Sequence, residues 1–215
     1  MKKENLSTKI KIKNSAIKLF NSKGTLSIST NHISKEIGIS SGNLYYHYKN
    51  KEEIIYEIYN DVSKIFESSN YFEKILTSDN PIEVLHQMHN KYIDLFIEYK
   101  FIMRDSTVLM AIYPQLKLLY SDKQNKRILQ IEGILKYLIS QNILEGIPND
   151  EINIRAKLQW FISAYWHVFN TTTNEFSKES IYEMKDVIFK IHIYPFLSNK
   201  GKEMLALCNK DIING

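Results

Sequence analysis

Ser40-Ser41-Gly42-Asn43-Leu44-Tyr45-Tyr46-His47-Tyr48-Lys49-Asn50-Lys51-Glu52-Glu53 holds two helix starts and an aromatic cluster in one short stretch. Ser40 follows the apolar Ile39 and suits an N-cap, because its hydroxyl can accept an orphan backbone N–H. Leu44 and Tyr48 stand four apart, so they share one helical face and are expected to point inward. Tyr45, Tyr46 and His47 then spread over the other sides. Asn50 and Glu53 make a capping-box pattern that opens a second helix, with Lys51 and Glu52 in its first turn.

Working outward, Thr30 to Ile37 reads as a short helix capped by Ser29 or Thr30, with Ile33 and Ile37 on one face. Gly38 follows, where a left-handed residue ends such a helix. Two short helices joined by a tight Gly turn form the helix-turn-helix pattern, whose second helix enters the major groove. Residues 41–48 are then the recognition helix, and the small Ser41 and Gly42 permit close approach to base edges. Residues 7–23 read as a first helix, with Ile12, Ala16, Leu19 and Phe20 as its stripe and Gly24 as its stop. Thr25 to Ser29 is a connector in which Ile28 plugs the core.

These residues carry a resemblance. Ile12, Ala16, Leu19, Phe20 and Gly24, then Ile33-Ser34, Gly38-Ile39-Ser40 and Gly42 through Glu53 resemble the N-terminal domain of the TetR family of bacterial transcriptional repressors. The match spans roughly residues 8–56, and its order and spacing make it specific. The recognition helix is similar to that of multidrug-sensing members. The rest of the chain offers no comparable match; in this family that part varies with the ligand.

Composition agrees with a DNA-binding lobe on a separate body. The chain has 215 residues, is 44% hydrophobic and carries 7 Gly and 4 Pro, so it can bury a real core but has little material for a turn-rich β fold. The net charge of +4 hides an asymmetry: residues 1–51 hold ten Lys against Glu4 and Glu36, so the remainder is net acidic. A positive lobe on a mildly negative body is the electrostatic footprint of a nucleic-acid-binding domain. The single Cys208 excludes an internal disulfide framework and points to a reducing compartment. No apolar run approaches the ~18 residues of a membrane span, and no signal-peptide core is evident. A cytoplasmic protein with no membrane partner is expected.

Beyond the lobe the spacing is helical throughout. A fourth helix from Lys51 to about Ser68–Asn70 carries Ile54, Ile55, Ile58, Tyr59, Val62, Ile65 and Phe66, and reads as a stiff link. Asn80-Pro81 with Glu83 caps a helix bearing Leu85, Met88, Tyr92, Leu95 and Phe96. Residues 101–112 form an apolar helix interrupted by Arg104, Asp105, Ser106 and Thr107. Pro114 starts another that runs to about Leu144, with a possible break at Ser121-Asp122. Further helices are expected at 150–173 and 178–198, the latter stopped or kinked by Pro195. A short terminal helix is expected at 201–213.

For DNA, Thr30, Ser41, Gly42, Asn43, Tyr45, Tyr46, His47 and Lys51 are the candidate residues. Tyr46 can touch thymine methyl groups and donate to phosphate, because Leu44 and Tyr48 are needed inside. The resemblance implies phosphate contacts for Tyr45 and His47. Lys51 and Thr30 each sit in a helix first turn, where exposed N–H groups and the macrodipole favour a phosphate. Capping explains Thr30 equally well.

For an effector, Tyr92, Phe96, Met103, Arg104, Met110, Trp160, Tyr165 and Trp166 are the candidate lining, since aromatic and Met side chains can enclose an apolar ligand. An ordinary core explains the same residues. The Arg104-Asp105 pair inside an apolar helix needs partners; it either pairs internally or meets a polar ligand group. His86 and His89 lie three apart but have no further metal-ligating residues at matching spacing, so no metal or cofactor is expected.

The sequence is therefore read as all-α, with a helix-turn-helix domain at 1–50 and a helical ligand-binding and dimerisation domain at 51–215. The resemblance implies a homodimer whose four-helix seam comes from the helices 150–173 and 178–198, with Phe161, Ile181, Met184, Ile188 and Ile191 at the interface. The expected partners are a palindromic double-stranded operator and a small, largely apolar effector. An enzyme would need a nucleophile–base pair, metal site or phosphate loop, and none is found. A DNA-binding architectural protein without a ligand is the remaining alternative.

Overall fold

The computed structural model describes residues 2–170 and 177–213, with side chains described for 7–170 and 177–208. Its regular structure is helical: α1 Lys2–Lys23, α2 Thr30–Glu36, α3 Ser41–His47, α4 Lys51–Ser68, α5 Tyr71–Thr77, α6 Pro81–Glu98, α7 Lys100–Ile112, α8 Pro114–Ser140, α9 Ile152–Asn170, α10 Lys178–His192 and α11 Asn199–Ile213. Among the described residues the only strand-like pairing is an isolated bridge between Leu144 and Leu197.

Local chemistry sets most of these boundaries. Ser29 caps α2, with His32 completing a reciprocal capping box. Ser40 accepts the Asn43 N–H at the start of α3, and Ser177 accepts the Ser180 N–H at the start of α10. Asn50 accepts the Glu53 N–H, while the Glu53 carboxylate reaches back to the Lys49 N–H. Gly24 and Gly38 take the left-handed conformation, at φ +84° and +69°, that ends α1 and turns α2 into α3.

Three features depart from expectation. The short helix α5 sits where no helix was anticipated. α8 runs unbroken through Ser121-Asp122 but ends at Ser140, short of the expected Leu144, with Asn142 in the left-handed conformation at φ +53°. Pro195 lies in a short 3-10 turn, Tyr194–Phe196, after α10 has ended at His192. The last three positions of the helix expected at 150–173 fall outside the described residues.

The chain divides into two compact units. The first comprises residues up to Glu67 together with Glu98–Tyr120; the second comprises Ser68–Ile97 and Ser121 onward. The compact unit that holds the helix-turn-helix thus extends past residue 50 and takes in α4 and α7. Ile54, Ile55 and Ile58 of α4 and Phe101 and Leu109 of α7 share one core with Ile12, Ala16 and Phe20 of α1, Ile33 of α2 and Leu44 of α3. Each fully buried Ile, Leu or Phe is worth about 1.5–3 kcal/mol. Without α4 and α7 the three-helix lobe would lose much of its apolar cover.

In the second unit, Ile75, Ile82, Leu85, Leu135, Leu138, Ile152 and Phe189 make one core. A smaller cluster joins Ile93 to Ile181, Met184 and Ile188 of α10, with Phe96, Ile162 and Trp166 packed against it. The Trp166 indole N–H donates to the Ser180 carbonyl at 2.7 Å, pinning α9 to α10. This corrects the interface assignment of Ile181, Met184 and Ile188. All three are buried within their own chain, because α10 turns that stripe onto α6 and α9. Phe161 and Ile191 do face solvent, and α9 adds exposed Ile154, Leu158, Val168 and Phe169.

Candidate nucleic-acid interface

The recognition helix is held from inside and open outside. Leu44 and Tyr48 are buried in the first-unit core, whereas Tyr46 is 74% exposed and Tyr45 51% exposed. Ser41, Gly42 and Asn43 are exposed at the start of α3, and Tyr46 meets the His47 ring edge-on at 5.2 Å. The four-residue spacing of Leu44 and Tyr48 therefore leaves the intervening aromatics for a partner.

Two hydroxyl contacts fix α3 against α2. The Thr30 and Tyr45 hydroxyls lie 3.1 Å apart, and Ser41 Oγ donates to Asn31 Oδ1 at 2.9 Å. Thr30 is thus a partner of Tyr45 rather than the cap, a role taken by Ser29. Asn31 was missed in the sequence, although its place beside a capped helix start was legible; its pairing with Ser41 needed the helix crossing.

A polar network braces the lobe from α1 and α4. Tyr48 donates its phenol proton to Glu57, and Lys9 and Lys13 pair with the Glu57–Asp61 side of α4. Burial pushes the Tyr48 phenol up, and the Glu57 charge pushes it further. Burial also opposes the Glu57 charge, but Tyr48, Lys13 and Lys9 outweigh it and hold that carboxyl below its ordinary value. Lys9 and Lys13 therefore spend charge on the lobe itself.

Lys51 departs from its expected outward pose. Its Nζ donates to the carbonyls of Thr25 and Ile28, both at 2.9 Å, and burial lowers its pKa. The ammonium closes the α1–α2 turn, while its backbone amide stays in the first turn of α4. Arg104 and Asp105 resolve in favour of internal pairing. Arg104 Nε donates to Asp105 Oδ1 at 2.7 Å, and its remaining nitrogens reach the Phe20 and Asn21 carbonyls at the end of α1. Arg104 is thereby removed from the candidate effector lining.

The rest of that lining is dispersed. Met103 and Met110 lie in the first unit; Tyr92, Phe96, Trp160, Tyr165 and Trp166 lie in the second. Met110 borders a small apolar crevice with Ile55, Tyr59, Phe101, Leu109 and Tyr120, with room for about one water molecule. Phe96 and Trp166 are packing residues of the α6–α9–α10 cluster, and Tyr92 meets Tyr71 edge-on at 6.3 Å. His86 stacks on Phe189 at 4.1 Å, and His89 Nδ1 lies 2.9 Å from the Leu85 carbonyl. Both histidines therefore sit in the second-unit core. Among the described residues, no group of three or more His, Cys, Asp or Glu is arranged to hold a metal ion, and no helix is long and apolar enough to cross a membrane.

Residues 12–58 match the profile of bacterial regulatory proteins of the tetR family. Residues 67–205 match that of the TetR bacterial transcriptional repressors. The chain belongs to the TetR family. An HTH-type transcriptional regulator of Staphylococcus aureus (strain USA300) is 40% identical over 58 residues, 27% of this chain and 31% of its own length. The chain thus spans about a third of the curated relatives that it matches. A TetR-family regulator from Marinobacter aquaeolei VT8 superposes with a TM-score of 0.80 at 28% identity, covering 94% of this chain and 98% of that one. A gamma-butyrolactone receptor described as ArpA-like shares the fold, with a TM-score of 0.70 at 14% identity over 96% and 97% of the two chains. SmeT in complex with triclosan does so with a TM-score of 0.66 at 16% identity over 90% and 93%. The matched family and the Staphylococcus and Marinobacter relatives are transcriptional regulators, not enzymes.

Proposed function

We propose that this TetR-family protein is a cytoplasmic repressor that binds a palindromic operator as a homodimer and is released by a small, largely apolar effector. The observation that carries the DNA half is the pairing of buried Leu44 and Tyr48 with exposed Tyr45 and Tyr46 on one short helix. That helix presents Ser41, Gly42, Asn43, Tyr45, Tyr46 and His47, with Thr30 and the Lys51 amide alongside. One helix reads few base pairs, so two-fold symmetry doubles the readout.

The exposed stripe Ile154, Leu158, Phe161, Val168 and Phe169 on α9, with Ile191 on α10, supports the dimer. From Ile154 through Leu158 and Phe161 to Val168 the spacings are four, three and seven, those of a helix-packing seam. The effector half is supported by the family and by neighbours named for triclosan and gamma-butyrolactone. Within the second unit, Tyr92, Trp160 and Tyr165 are its proposed lining.

The test is duplex selection from a random library followed by titration. Tyr46→Ala is expected to weaken the selected duplex by about 1–3 kcal/mol and a scrambled duplex by less. Equal losses on both would refute base reading by Tyr46. Effector binding is tested by tryptophan quenching, since Trp160 and Trp166 are the only tryptophans in the chain. Compounds that quench should release the duplex over the same concentration range; quenching with no release would favour a ligand-independent architectural role.

A further inference from the structure

Thr25 is fully buried in the turn between α1 and α2, and each of its polar atoms is held from another helix. Its N–H donates to Asp105 Oδ2 at 2.8 Å, and its hydroxyl donates to the same oxygen. Its carbonyl accepts from Lys51 Nζ, which also holds the Ile28 carbonyl. Asp105 is itself fixed by Arg104, whose guanidinium reaches the last carbonyls of α1. Asn21 extends the tie by donating to the Glu98 carbonyl at 2.7 Å and accepting the Phe101 N–H at 3.0 Å. Helices α4 and α7 thus grip one turn from two sides.

That turn sets where the reading helices begin. Ile28 is followed by Ser29, the cap of α2, and then by Thr30 and Asn31, which hold Tyr45 and Ser41 of α3. A carboxylate that lies eighty positions along the chain from Thr25 therefore reaches the recognition helix through six or fewer residues of backbone and two side-chain bonds. An unpaired buried donor is costly, so Thr25 cannot leave Asp105 without strain or solvent entry.

We propose that Asp105, with Thr25 and Lys51, is a positioning residue for DNA recognition: it sets the α2–α3 pair in the geometry that reads bases, although it does not touch DNA. This rests on the DNA-binding reading above. It predicts that loss of the clasp blurs base discrimination more than it weakens contact with the phosphate backbone, because Asp105 is not among the residues proposed to meet phosphate and removing its negative charge does not disfavour phosphate contact.

The experiment compares wild type, Asp105→Ala and the conservative Thr25→Ser on a library-selected duplex and a scrambled one, below the melting temperature of each variant. Asp105→Ala is expected to lose roughly tenfold or more on the selected duplex, with an unchanged salt slope and little loss on the scrambled one. Thr25→Ser keeps the hydroxyl and is expected to bind like wild type. Hydrogen exchange supplies a readout that needs no DNA: amides of residues 25–47 should exchange faster in Asp105→Ala, while those of 121–170 stay unchanged. Unaltered exchange at 25–47 would overturn the clasp, whatever the DNA result. Equal losses on the two duplexes would overturn its link to base reading. A wild type that selects no duplex would instead remove the DNA-binding reading on which the link depends.

Discussion

Ser41 Oγ donates to Asn31 Oδ1 across the α2–α3 turn, so the hydroxyl proton at the start of the recognition helix is committed within the protein. The outward lone pairs of Ser41 then act as acceptors, which suit the exocyclic amino groups of cytosine or adenine. Asn31→Ala frees the hydroxyl to donate. We expect a small stability loss, about 0.5–1.5 kcal/mol at most, and a relaxed preference at one base pair. Affinities for single-base variants of the selected duplex measure this; an unchanged preference at every position would exclude the role.

Lys51 offers a second discrimination. With its ammonium on the Thr25 and Ile28 carbonyls, Lys51→Ala should lower thermal stability and leave the salt slope of DNA binding unchanged. A lysine that neutralises a phosphate would instead reduce that slope by about one. The slope therefore decides between an internal and an external role.

The two kinds of apolar residue on α9 and α10 should respond differently to charge. Phe161 is 57% exposed and Ile188 is 1% exposed. Phe161→Glu is expected to give a folded monomer, whereas Ile188→Glu should unfold the second unit, at a cost of several kcal/mol for an unpaired buried carboxylate. Sedimentation and far-UV circular dichroism separate these results. A Phe161→Glu protein that stays dimeric would place the seam elsewhere.

Histidines give a pH dependence of definite sign. Burial pushes His89 and His192 down to about 4, from an ordinary value of 6.5. The unfolded chain then binds more protons between those values, so stability is full above about pH 6.5 and falls as pH drops toward 4. The slope is up to about 1.4 kcal/mol per pH unit for each histidine. Replacing His192, which is fully buried, by Leu should flatten the acid limb in chemical denaturation measured from pH 7 to 4.5. An unchanged limb would rule out His192 as a contributor.

Much of the first unit is legible in the sequence because its determinants are local. The Ser29, Ser40 and Asn50 caps, the positive-φ glycines 24 and 38, and the spacing of Leu44 and Tyr48 each act within about one helical turn. They define α2, α3 and the start of α4, and they leave Tyr46 outside. Pairings across long sequence separation are decided only by tertiary structure. Nothing near Arg104-Asp105 announces that its partners are Phe20, Asn21 and Thr25, and nothing near Lys51 announces the two carbonyls that hold it. The apolar stripes of α9 and α10 are equally visible in the sequence, but periodicity cannot say which stripe is covered by its own chain. Packing decides that: Ile181, Met184 and Ile188 meet Ile93 and Phe96 of α6, and so Ile154, Leu158 and Phe161 are left facing solvent. A helical period fixes which residues share a face, whereas the partner of that face depends on how the whole chain fills its core.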